Sequence, residues 1–263
     1  MQALVTYVLD RMPYGSAAAL FLGENLTIFA LALLGGAVLA RGFAGRRVCA
    51  LPPPLEAREI GMAAMTVLLN TAVTLAGLWL YRRGLVRFRG DLGWRALADV
   101  VVLLVVMDAA MYGLHRLAHV EPLFRWLHAP HHRYDRPRPL TLFVLSPPEA
   151  LAFGGLWLVV LMLYPCSWLG MSIYLGLNVA FGVVGHLGVE PGPRGLVRVP
   201  LARSLATSTF HAQHHADRDH NFGFYTLVWD RLFGTLAPDY ARDFERAAGA
   251  SPPGSEGVSR RAS

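Results

Sequence analysis

The chain has no lysine, only two cysteines, and no histidine outside the interval 115–220. Each gap excludes something. Cys49 and Cys166 stand far apart with no CxxC partner, which rules out a disulfide framework and a zinc ribbon. Without lysine, the formal net charge of +6 comes from arginine alone, as arginine-favouring codon usage would produce. Those arginines are scattered between apolar stretches and form no dense patch, so nucleic acid is not an expected partner. Charge is also scarce. Charged residues make up 16% of the chain and hydrophobic ones 54%, where a soluble domain typically carries about 25% charged residues. This is the composition of a membrane protein. No positive segment precedes the first apolar run, so no cleavable signal peptide is expected.

A membrane-spanning helix needs about 20 mainly apolar residues. Three such stretches precede the first histidine, Ser16–Ala40, Gly61–Tyr81 and Ala96–Leu114, and Pro52-Pro53-Pro54 breaks the chain between the first two. Glu24 and Asn25 in the first stretch fit helix packing. A fourth apolar region runs from Glu149 to Leu187, interrupted at Tyr164-Pro165-Cys166-Ser167, where proline and small polar residues suit a turn. It reads as a helical hairpin that enters and leaves the membrane on one side. The expected fold is therefore all-α, with four to five membrane helices and a helical cap, in one domain over 1–246. The tail from 247 to 263 is small, polar and proline-containing, and is expected to be disordered.

In this arrangement every histidine falls on one membrane face and none at the bilayer centre, where polar groups are costly. If that face is cytoplasmic, eighteen arginines lie inside and six outside, in keeping with the positive-inside rule. Loop 81–95, with Arg82, Arg83, Arg87, Arg89 and Arg95, runs against the rule.

The histidines themselves are patterned: His115-x-x-x-His119, then His128-x-x-His131-His132, His186, His211-x-x-His214-His215 and His220. Neutral imidazole is the commonest metal-ligating side chain, and a structural zinc site closes with four ligands. Nine or more imidazoles suggest two ions. His115 and His119 are one helical turn apart and point the same way. Along the same stripe lie Tyr112 and Asp108, the latter a carboxylate in an apolar segment. Metal-bound imidazoles commonly donate their second N–H to a carboxylate, so Asp108 is expected to orient a ligand. In each HxxHH segment the adjacent pair diverges by about 100°, letting neighbours serve different ions. Pro130 argues against an uninterrupted helix through the first segment and for a helix start. His220 and Glu190 are open between metal ligand, supporting group and structure.

The string from Asp108 to Thr235 resembles the fatty acid hydroxylase superfamily, or sterol desaturase family, of membrane di-iron oxygenases. The likeness runs through Asp108-x-x-x-Tyr112-x-x-His115-Arg116-x-x-His119, the two HxxHH boxes, His186, Asn221-Phe222-Gly223 and Trp229-Asp230-Arg231-Leu232-Phe233-Gly234-Thr235. The last string carries no ligand chemistry and reads as a packing and turn element. The resemblance implies a membrane anchor with a cytoplasmic cap, two non-haem irons held by the histidine boxes, and O2 as co-substrate for hydroxylating or desaturating a lipid. The family often has a second histidine soon after the one matched by His186; here that place holds Glu190.

Neither a GxGxxG after a strand nor a cytochrome-like domain is present in the sequence, so electrons are expected from a separate ferredoxin, cytochrome or reductase. Arg116, Arg125, Arg133, Arg136 and Arg138 offer a docking surface for an acidic donor or, equally, contacts for anionic headgroups. Two other readings compete: a dimetal hydrolase, disfavoured by the near absence of carboxylates among the candidates, and a non-enzymatic haem or metal-binding membrane protein, disfavoured by adjacent histidine pairs.

Overall fold

The computed structural model describes residues 2–249. Eleven helices succeed one another among them: α1 Gln2–Asp10, α2 Tyr14–Gly42, α3 Ala57–Arg82, α4 Trp94–Ala118, α5 Leu123–Leu127, α6 Ala129–His132, α7 Pro147–Leu163, α8 Trp168–Gly185, α9 Ser208–Ala216, α10 Val228–Phe233 and α11 Tyr240–Gly249. Short 3-10 turns lie between some of them, and there is no strand among the described residues beyond isolated bridges. Four helices, α2, α3, α4 and α8, are long and apolar enough to cross a membrane, and α7 is a shorter apolar helix. Their outward residues are large and apolar: Leu34 is 65% exposed, Val101 60% and Leu163 79%. Apolar surface on this scale belongs against lipid. The chain is an integral membrane protein, with the all-α architecture and span count expected from the sequence.

Chain contacts divide the protein into two units. The first comprises the described part of Met1–Leu31 with Leu55–His131 and Phe143–Val179; the second comprises Ala32–Pro54, His132–Leu142 and the described part of Ala180–Ser263.

In the first unit α3 packs along α7, and glycines let them approach: a Cβ on Gly154 would fall 2.6 Å from Val73 Cγ2. The turn at 164–167 joins α7 to α8 as the hairpin requires, and Trp157 stacks on Tyr174 across it. Its tip is held by Asp99 in the second turn of α4, a buried carboxylate. Asp99 accepts hydrogen bonds from Arg89 Nη2 (2.8 Å), Tyr164 Oη (2.7 Å) and the Ser167 amide (2.8 Å). Arg89 also reaches the Pro165 carbonyl and Asp91. Arg82 donates to the carbonyls of Val8 and Leu9, orphan acceptors at the end of α1, and to that of Met12 just beyond it. Two of the arginines that ran against the charge rule are thus structural fasteners.

In the second unit the end of α2 rests on Pro139, where a Cβ at Gly36 would lie 2.6 Å from the ring. Arg136 and Arg138 donate to the carbonyls of Leu51 and Pro53, so these two guanidiniums fasten the proline loop. Phe210, Leu227, Tyr240, Phe244 and Ala248 form the core beneath α9. Here one expectation fails. Residues 247–249 were assigned to a disordered tail, but they complete the last turn of α11, whose Ala247 and Ala248 are buried. Small residues seat a helix closely on a core, and composition alone concealed this. The rest of that tail lies outside the described residues.

Candidate metal centre

The first unit supplies His115 on α4, His119 as the cap of α4, His128 as the cap of α5, and His131 on α6. One ligand atom from each of His115, His119 and His128 falls within 4.8 Å of the others, and His115 Nε2 stands 2.9 Å from His128 Nε2. Pro130 occupies the second position of the four-residue α6, consistent with a helix start at that box. His131 turns its Nδ1 to the Val144 carbonyl at 3.0 Å. His128 turns its Nδ1 to Glu149 Oε1 at 2.5 Å, both side chains being buried.

Glu149 was not singled out from the sequence, although a signal was present. Ser146-Pro147-Pro148-Glu149 is a capping box, the reciprocal arrangement that starts a helix. Ser146 Oγ accepts the Glu149 amide, and Glu149 Oε2 accepts the Ser146 amide. Ser146 Oγ in turn donates to the Leu127 carbonyl at 2.6 Å. One carboxylate therefore begins α7 with one oxygen and orients His128 with the other.

The second unit supplies His132, His186 at the end of α8, and His211, His214 and His215 on α9. One ligand atom from each of His186, His211 and His215 lies within 4.8 Å of the others. Nε2 of His211 is 3.0 Å from Nε2 of His186 and 3.1 Å from Nε2 of His215. His132 Nε2 is 3.1 Å from His214 Nε2. Away from these contacts, His186 Nδ1 meets the Gly182 carbonyl at 2.8 Å and His214 Nδ1 meets the His220 carbonyl at 2.7 Å.

The acceptors on the far side fix the tautomers. An imidazole that donates Nδ1–H to a carbonyl and is neutral carries only a lone pair at Nε2. In the run His186–His211–His215, His211 has one Nε2 proton at most and cannot satisfy both neighbours. Buried lone pairs turned on one another are costly unless a cation sits among them. The spacing agrees: two nitrogens each about 2.1 Å from one ion and at about 90° stand about 3.0 Å apart. The donor set fits transition-metal ions.

The remaining candidates fall into place differently. Glu190 is fully buried, but its oxygens serve protein groups: Oε2 accepts the amide and hydroxyl of Thr209, and Oε1 accepts the Gly192 amide. It thereby anchors the first turn of α9. The His220 ring donates from Nδ1 to Asp217 Oδ2, 2.8 Å away, while its backbone carbonyl is what His214 uses. Asp108 and Tyr112 are both buried on α4, and Tyr112 Oη lies 3.5 Å from Arg116 Nη1. Asn25 donates to the Phe21 carbonyl of its own helix. Arg125 pairs with Glu121.

Residues 100–235 match the family model described as fatty acid hydroxylase, just over half of the 263 residues. The chain belongs to the fatty acid hydroxylase family. A very-long-chain aldehyde decarbonylase of rice (Oryza sativa subsp. indica) is 33% identical over 150 residues, covering 54% of this chain and 24% of that protein. Mouse lathosterol oxidase is 30% identical over 148 residues, 55% of this chain and 47% of that one. A tobacco (Nicotiana tabacum) Delta(7)-sterol-C5(6)-desaturase is 26% identical over 161 residues, 59% of this chain and 56% of that one. The aligned part spans from about a quarter to just over half of these relatives. No solved structure matches.

Proposed function

We propose that this family member is a membrane oxidoreductase that uses O2 and external electrons to hydroxylate or desaturate a lipid at a site of two non-haem irons. The observation that carries the reading is the set of Nε2–Nε2 approaches at 2.9–3.1 Å, with the Nδ1 atoms of His128, His186 and His214 turned to a carboxylate or a carbonyl. His115, His119 and His128 would hold one ion, and His186, His211 and His215 the other; His131, His132 and His214 are the further ligand candidates. Iron bound there would supply redox chemistry toward O2, in keeping with relatives named as an oxidase and a desaturase. Imidazole suits several metals, so iron is assigned from the family.

The protein groups have separable roles. Glu149 and the carbonyls of Val144, Gly182 and His220 keep Nδ1 protonated and aim Nε2 inward. Asp108 supports a ligand from within the apolar part of α4. A small crevice lined by Phe181, Gly182, Phe210 and Phe224 also borders His186 and His211, and its apolar side chains limit water at those two imidazoles. The histidines face the cytoplasm, a placement supported by the arginine count now that Arg82 and Arg89 are accounted for. Electrons come from a separate ferredoxin, cytochrome or reductase.

The purified protein is expected to carry two transition-metal ions per chain, with zinc replacing iron on overexpression because its intrinsic affinity for such sites is higher. His131→Ala and His214→Ala each lower metal content and abolish turnover, followed by metal analysis and by lipid profiling of a host with and without the gene. Full occupancy with normal lipid conversion in either variant removes that histidine from the site.

A further inference from the structure

We infer that Asp230 is a positioning residue for His214, and that the Trp229–Thr235 string exists to fix the tautomer and direction of that one imidazole. The inference rests on the metal-site reading above. Asp230 is completely buried, and its carboxylate is shared among three donors of the second unit. Oδ1 accepts the Phe222 amide at 2.8 Å and the Thr235 hydroxyl at 2.7 Å; Oδ2 accepts the Gly223 amide at 2.8 Å. Two consecutive amides on one carboxylate hold a short turn rigidly, because charge-assisted hydrogen bonds are roughly twice as strong as neutral ones.

The residues around it serve the same contact. Gly223 must lack a side chain, since a Cβ there would stand 2.7 Å from Asp230 Oδ2. Gly234 ends α10 with φ at 68°, in the left-handed region glycine favours, which swings Thr235 back onto Asp230. The Thr235 carbonyl then accepts the amide of Asn221 at 2.8 Å. Asn221 itself has φ 61°, a conformation asparagine tolerates better than most residues. Its amide side chain donates to the Phe210 carbonyl on α9 at 2.9 Å, and its oxygen accepts the Ala237 amide at 2.8 Å.

The product of this knot is one carbonyl in one place. His220 lies immediately before Asn221, and its carbonyl accepts from His214 Nδ1 at 2.7 Å. The next ring along, Phe222, lies 5.6 Å from the His214 ring, nearly edge-on, and limits its rotation. The 220–223 turn therefore sets both the proton and the plane of His214, and Asp230 sets the turn. The string Asn221-Phe222-Gly223 and the string Trp229–Thr235 are thus two halves of one device.

The test uses the full-length protein in detergent. Loss of an outer partner typically costs about 10–100-fold in metal affinity, so Asp230→Asn is expected to weaken zinc binding by at least about tenfold in competition with a chromophoric chelator. Thr235→Val removes one of the three donors and is expected to give a smaller loss, which Thr235→Ser restores. The decisive comparison is a double-mutant cycle: in a His214→Ala background, Asp230→Asn adds little further loss. Equal loss in both backgrounds would make Asp230 a general structural residue and overturn the inference, as would unchanged zinc affinity in Asp230→Asn and Thr235→Val. Nitrogen-15 NMR of histidine-labelled, metal-free protein reads the same point without any metal. His214 is expected to be Nδ1-protonated in the parent and a tautomer mixture in Asp230→Asn and Thr235→Val; identical spectra overturn the inference even if the metal-site reading stands. If Asp230→Asn does not insert, the Thr235 variants carry both measurements.

Discussion

A metal-site histidine has two nitrogens, and the sequence shows only that the residue is there. The histidine boxes were legible because clustering and spacing survive any fold. The acceptors behind them were not, because three of the four are backbone carbonyls, at Val144, Gly182 and His220, and a carbonyl has no sequence signature. Glu149 is the exception, written as a capping box yet read only as the start of an apolar hairpin. Glu149→Gln isolates its second role, since glutamine serves equally at that capping position. The variant should fold with α7 intact yet lose about 10–100-fold in metal affinity, read by chelator competition. Asp108→Asn is the companion measurement. A loss of at least about tenfold there would place a second carboxylate behind the ligands; wild-type metal content and activity would reduce Asp108 to helix packing.

Among the elements, the long apolar helices were foreseen to within a few residues. The short ones were missed, since α1, α5, α10 and α11 gain their stability from contacts and carry too few turns to show a period. The α7–α8 hairpin was legible at its turn. What secures it was hidden: Asp99 lies in an apolar segment, its partner Arg89 stands in a loop before α4, and its partner Tyr164 is distant in sequence. Asp99→Asn keeps the shape but gives up charge-assisted bonds, at a cost of about 1–3 kcal/mol. Its apparent melting temperature in detergent should fall while zinc stoichiometry stays at two. Unchanged melting would mean that packing of α3 on α7 alone holds the hairpin. Glu190 plays a comparable part for α9, where it receives both the amide and the hydroxyl of Thr209.

For the molecule as a whole, orientation is the open quantity, and the native cysteines report it poorly. Cys166 is completely buried, and burial, aided by Asp99, pushes its thiol up to about 11. The thiolate is the reacting form, so a raised value means little reaction near neutral pH and a rise as pH climbs toward that value. Burial also raises Cys49. Leu92 and Leu232 are the better reporters, at 73% and 67% exposed. In intact cells a membrane-impermeant maleimide at pH 7 should label Leu92→Cys and spare Leu232→Cys, with the parent chain unlabelled. The reverse pattern would put the histidines outside.

The division of the chain bears on how such a protein is inherited. His131 and His132 are neighbours in sequence but fall in different units, and α2 and α8 each run unbroken through the division. Only a break between those two residues would sort the nine histidines by unit. That break would leave Val144 and Glu149, the acceptors of His131 and His128, on the other fragment. Crossover between related genes anywhere from 128 to 149, from 182 to 186 or from 214 to 220 likewise separates an imidazole from the group that orients it. Each imidazole and its orienting group are expected to pass from ancestor to descendant together, while the surfaces that meet the lipid are free to diverge.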